Sequence, residues 1–519
     1  MTTPTAVGVE DALETLVRQF SDPLACLREL VQNSLDAGSR QIDVALSHTD
    51  GVMTLEVQDQ GEGMDKHIID TKLTRLFASS KEGDFTKIGR FGIGFVSVFA
   101  LEPDAVVVDT GRAGEKWRVL FRKDRTFACI ALEEPIAGTR VRIIKAVSPA
   151  EYADLRTRAL SVLRYWCKHV EGEISFEGQV ISGPLALDQV LVEARHQEEG
   201  TLVVVGIVEG FRTFGGFYNK GLTLHEGEAG GLPGLAFKIS SRYLEHTLTR
   251  DNVLHDDAFE KAMAIVHRLA GAPLHAALWA RLAKDTTGPS AEPLWRALAS
   301  RLRLNALPAA QAEQPIVPAE GGALSIKGLQ RQKAPLYFAP TRTPLTQACH
   351  QAGLKVLLVG EQGPAIAQVV HEATDLQLVD LERDFVLPLP ATEAEIQAFA
   401  PLQAQLAHLL PDLKVAALVP GHLPSLPHEV AIGVARLDEP TPITEIQKLA
   451  GGLFSRKRTL VINLDHPAVA ALLPRAAQEP ELCGWLLARL FLLGRGELDA
   501  PREAALLMPA ITRREARTR

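Results

Sequence analysis

The segment ELVQNSLDAG constrains this chain more than any other, because it reads as a helix that carries carboxylates among closely spaced apolar residues. The helix is expected from Pro23 to Asp36, with Ser21 or Asp22 as N-cap, Pro23 at the first helical position and Gly38 just past the end. Glu29, Asn33 and Asp36 are spaced four and three apart. At ~100° per residue they share an arc of roughly 60°. Leu27, Leu30, Val31 and Leu35 occupy other faces, as on a helix packed on several sides. Two readings stand for the triplet: a solvated stripe, or a buried polar face that needs partners to offset desolvation.

QIDVAL and VMTLEVQD alternate in polarity and predict two adjacent strands, with Asp59 at the end of the second. Residues 65 to 77 read as helical, 78 to 94 as a polar, glycine-rich loop, and VSVFAL as a helix again. AVVVDT, KWRVLF, FACIAL and TRVRII are expected strands. A helix before a mostly antiparallel sheet, with a long loop inserted, is the order of an α/β sandwich. In DQGEGM, Gly61 and Gly63 let the backbone approach a neighbour closely, and Asp59 can accept a hydrogen bond from an exocyclic amine. The same string also reads as an ordinary turn. In GRFGIGF, Gly89, Gly92 and Gly94 precede a helix, which makes either an anion site or a plain loop.

In order, Glu29, Asn33 and Asp36, then Asp59, Gly61 and Gly63, then Gly89, Gly92 and Gly94, then Gly138 and Thr139 resemble the N, G1 and G2 boxes and closing Gly-Thr of the GHKL ATPases. That resemblance implies a Bergerat-type α/β sandwich binding ATP and Mg²⁺. Glu29 would be catalytic, orienting or deprotonating the attacking water, and Asn33 would be the metal-coordinating residue. Asp59 would read the adenine amine beside Thr139, and Gly92, Ile93, Gly94 and Phe95 would cradle phosphates. Asp36, Met64, Ser79, Lys81 and Phe91 complete the expected nucleotide-binding set. No G-x-x-x-x-G-K-[ST] string competes with it.

Within that superfamily, only 28 residues precede Glu29, so the upstream phosphoacceptor helix of a histidine kinase is not expected. ELVQNSLDAGSRQIDV and the FASSK around Ser79 are similar to the MutL pattern, whereas KIGRFGIGFVSVF is similar to the 90-kDa heat-shock chaperones. FYNKGLTL followed by LAFKISSRYLEHTLTRDNV is similar to the chaperone middle domain. There the resemblance makes Arg250 a second catalytic residue, a sensor reaching the γ-phosphate. A surface arginine beside Asp251 in a helix cap is the other reading. A chaperone-like ATPase is thus expected, with a MutL- or MORC-like clamp on nucleic acid as the alternative.

The expected fold class is α/β (α+β): a Bergerat-type ATP-binding domain over 1–150, a ribosomal-protein-S5-like α/β middle domain over 151–285, a linker over 286–325 and a mixed α/β C-terminal region over 326–519. The linker rests on the Pro- and Ala-rich DTTGPSAEP and NALPAAQAEQPIVPAEGG. A net charge of -8 gives no prompt toward nucleic acid, although it leaves room for a local basic patch. The 5 cysteines lie far apart without zinc spacing and read as buried thiols of a reducing compartment. The first residues show no basic and apolar leader pattern and no apolar run reaches membrane-span length, so a cytoplasmic protein is expected. The resemblance implies a homodimer, with the client or other macromolecule unspecified. Asp465-His466 reads as a turn starting a helix and TRREARTR as a solvated terminus.

Overall fold

A computed structural model describes residues 22–74, 93–228, 230–245, 252–410, 415–424, 426, 430–446 and 458–518. The chain divides into two compact units, residues 1–274 and 275–519. Ser79, Lys81, Gly89, Phe91, Gly92 and Arg250 lie outside the described residues.

The first unit opens on helix α1 (Ala25–Asp36), which starts two residues after Pro23. Asp22 caps the preceding turn, its Oδ1 accepting from the Leu24 N–H at 3.1 Å. Leu27 and Val31 are fully buried, which stabilises the helix by about 1.5–3 kcal/mol each. The chain leaves α1 through Gly38 at φ 79, with the Gly38 and Ser39 N–H groups bonding the carbonyls of Leu35 and Ser34.

Six strands follow: β1 (Gln41–Thr49), β2 (Val52–Asp59), β3 (Ala105–Arg112), β4 (Glu115–Arg122), β5 (Phe127–Ala131) and β6 (Gly138–Ala146). Alternation sends Met53, Leu55 and Val57, like Val106 and Val108, into one core shared with α1. Of the helix expected over 65 to 77, the described residues form a single turn, Lys66–Ile68, widening into a π-turn over Ile69–Leu73, and residues 75–77 lie outside the described residues. Farther along the chain, Ile93–Val96 and a tighter helix, Ser97–Leu101, pack against α1.

Helix α2 (Pro149–Trp166) begins in a capping box between Ser148 and Glu151. It leads to β7 (Glu173–Phe176) and β8 (Gln179–Val180), which return to the first sheet. The order is β5-β4-β3-β6-β2-β1-β7-β8, antiparallel except for the parallel β1–β7 pair. The first sheet therefore runs past residue 150 to Val180, because α2 supplies the crossover a parallel pair requires.

A second sheet, ordered β12-β11-β13-β10-β9, is built from β9 (Val190–Glu198), β10 (Thr201–Val208), β11 (Phe214–Asn219), β12 (Leu222–Gly227) and β13 (Ala236–Ser241). Helix α3 (Asp257–Ala270) lies against its β9, β10 and β13 strands.

In the second unit, residues 286–325 are not a linker. They contain a helix, Glu292–Arg303, whose Trp295 is fully buried, and strands Pro315–Ala319 and Gly322–Ser325. The prolines that read as linker punctuation sit at helix starts, Pro289 and Pro293 in the first turn and Pro308 as a cap. Strands Pro315–Ala319 and Gly322–Ser325 belong to a five-stranded sheet, and a four-stranded sheet follows, pairing Val415–His422 in parallel with Arg458–Asn463. His466 caps helix Pro467–Leu472 by accepting from the Ala468 N–H, as the expected turn requires. The molecule is thus a mixed α/β protein with one large mixed sheet. No helix among the described residues is long and apolar enough to cross a membrane.

Candidate functional site

Asp59 ends β2 in line with Met53, Leu55 and Val57, so its side chain enters the helix-covered face and is only 6% exposed. Three neutral groups meet it. The Ser34 hydroxyl of α1 donates to Oδ2 at 3.0 Å, and the backbone N–H groups of Gly61 and Thr139 donate to Oδ1 at 2.8 and 3.2 Å. Burial raises its pKa above the usual 3.8, more than these hydrogen bonds lower it. The Ser34 hydroxyl also lies 3.0 Å from the Leu30 carbonyl, so its single proton is shared between two acceptors.

The loop after Asp59 is held backbone to backbone. Gly63, at φ 66, lies where a Cβ would come 2.1 Å from the Gly111 carbonyl oxygen, and Gly138, at φ 72, where one would come 2.1 Å from that of Asp59. Only glycine fits either position. Met64 N–H donates to Thr110 Oγ1 at 2.8 Å, and that hydroxyl reaches Thr139 Oγ1 at 3.0 Å and the Gly138 carbonyl at 3.2 Å. Thr110 and Thr139 are cross-strand partners on β3 and β6, which places both on the Asp59 face. One connected network therefore joins Ser34, Asp59, Gly61, Met64, Thr110 and Thr139.

Glu29 is buried at 9% exposure on α1, and its Oε2 lies 2.7 Å from where a Gly94 Cβ would stand. The helix thus brings the expected general base against the backbone at Gly94. Asn33 and Asp36, by contrast, are exposed on the same helix. Asp36 accepts from the Gln32 amide at 3.2 and 3.3 Å and from Lys220 Nζ at 2.9 Å. Phe95 turns its ring into the core, with centroids 6.5 Å from Phe99 and 5.4 Å from Phe121. Only its backbone is available to a ligand.

Ser34, Thr110 and Lys220 belong to this region and escaped the sequence reading. Ser34 follows directly on Asn33, and the Thr110 partner, Thr139, was already expected at the site. A period-two reading of β3 and β6 would have found that pair.

Residues 23–126 match the family described as histidine kinase-, DNA gyrase B-, and HSP90-like ATPases. The chaperone protein HtpG of Coxiella burnetii is 32% identical over 175 residues, covering 27% of this chain and 27% of that protein. HtpG of Alkalilimnicola ehrlichii is 29% identical over 184 residues, covering 32% and 28%. HtpG of Nitrosococcus oceani is 31% identical over 194 residues, covering 31% and 30%. The similarity spans under a third of the length of these curated relatives, from 27% to 30%. Over residues 23–126 this chain carries an ATPase domain of the GHKL superfamily, and part of the chain is related at low identity to the HtpG chaperones.

Proposed function

We propose that this chain is a chaperone-like ATPase of the HSP90 type, which binds Mg-ATP beside α1 and uses hydrolysis to drive lid closure and domain docking. The observation that carries the reading is Asp59: a buried carboxylate met, among the described residues, by neutral donors alone keeps acceptor capacity for an exocyclic amine. The tight approach of Gly94 to Glu29 fits a phosphate beside a general base.

When bound, Mg-ATP brings the phosphoanhydride and the metal charge that screens it. Glu29 would hold and deprotonate the water. Asn33, exposed on the same helix, would ligate the metal, and Asp59 with Thr139 would orient the base. Arg250 is proposed as the sensor from the second sheet domain. A cytoplasmic homodimer acting on a macromolecular client completes the reading, supported by the similarity to the HtpG chaperones.

ATP binding and turnover of the wild type and of Glu29→Ala test it. The variant should keep nucleotide affinity within about threefold and lose turnover by roughly a hundredfold or more, as removal of a general base requires. Absence of ATP binding by the wild type overturns the proposal, and DNA-stimulated turnover redirects it to a MutL-like clamp.

A further inference from the structure

The β11–β12 hairpin turns through two residues, Lys220 and Gly221, since Asn219 pairs with Leu222. Both have positive φ, 48 and 82, the geometry of a type I′ turn. Asn is the favoured residue at the first position, and a lysine there is strained.

Two anchors fix where this turn sits. Gly221 presses on the chain that leaves α2: a Cβ there would stand 1.8 Å from the His169 carbonyl oxygen. Beneath it, buried Lys238 donates to His169 Nε2 at 2.9 Å, while Lys168 and the Tyr218 hydroxyl both bond Glu226. Held in this way, Lys220 reaches out of the second sheet and meets Asp36 at 2.9 Å, at the C-terminal end of α1. An acidic residue at that end opposes the helix dipole, and the ammonium offsets both charges.

We propose that Lys220 is a positioning residue for ATP turnover: through Asp36 it ties the second sheet to the helix that carries Glu29 and Asn33. The inference rests on the ATPase reading above. It gives the second sheet a grip on the nucleotide helix that is separate from Arg250.

Lys220→Asn tests it, because asparagine suits the turn while removing the charge. Thermal unfolding should occur at an equal or higher temperature, and ATP affinity should stay within about twofold. The kcat should fall roughly twofold to fivefold, the scale of a partly exposed ion pair acting on a barrier. Lys220→Arg should restore most of it. Raising salt from ~0.05 to ~0.5 M should bring the wild type toward the variant, since the pair is screened. A residue that serves only the turn would leave kcat and its salt dependence unchanged in Lys220→Asn, which overturns the inference while wild-type turnover stands. A wild type that neither binds nor hydrolyses ATP overturns both readings.

Discussion

On the helix-covered face of the eight-stranded sheet, Asp59 is buried among a hydroxyl and two backbone N–H groups. On the opposite face, Asp109 of β3 is buried to 3% exposure between two guanidinium groups, Arg118 at 2.6 and 2.8 Å and Arg142 at 2.5 Å. Burial pushes the Asp109 pKa up, but the two arginines outweigh it and hold the carboxyl below its usual 3.8. Two aspartates on one sheet thus have their pKa values shifted in opposite directions. A carboxylate saturated by fixed cations serves the fold, whereas one met only by neutral donors is kept charged at a cost that a ligand's own donor can offset.

The sharpest way to break this contrast is Asp59→Asn. Nucleotide affinity should fall more than about a hundredfold by calorimetry, because the new amide presents donors where an acceptor is needed. Asp109→Asn should leave affinity within about twofold, and equal losses in the two variants would remove the distinction. Next in size is stability. Asp109→Asn should lower the unfolding free energy by about 1–2 kcal/mol in urea titrations, discounted because both arginines are partly exposed. Asp59→Asn should cost less than that.

The smallest effect is in the acid range. The raised Asp59 pKa makes its contribution to stability complete below about pH 3.8, and that contribution is lost as pH rises through the folded value. The lowered Asp109 pKa makes its contribution complete above about pH 3.8, lost as pH falls through the folded value. Wild-type ATP affinity should therefore begin to weaken on acidification above the usual carboxylate range, and Asp109→Asn should not move that onset. An onset at the ordinary value would separate nucleotide recognition from Asp59.

The helical spacing of Glu29, Asn33 and Asp36 and the strand-end position of Asp59 were legible because they depend on local periodicity. The partners of Asp59 were legible only in part: Thr139 belongs to a known pattern, whereas Ser34 is recognised only once α1 is laid over β2. Lys220 meets Asp36 across 184 residues of sequence, and local pattern carries no information at that range. The mistaken linker has a different cause. Proline both breaks helices and starts them, so Pro289 and Pro293 required the burial of Trp295 to be read correctly.

The parallel pairing of β1 with β7 also sets an order of events during synthesis. Residues 146 and 173 bound the stretch between the end of β6 and the start of β7, and until that stretch has been made the outer backbone edge of β1 has no partner. At ~5–20 residues per second the delay is about one to five seconds. Unpaired strand edges recruit other strands. The nascent nucleotide domain is thus briefly open to the kind of misassociation that chaperones exist to suppress.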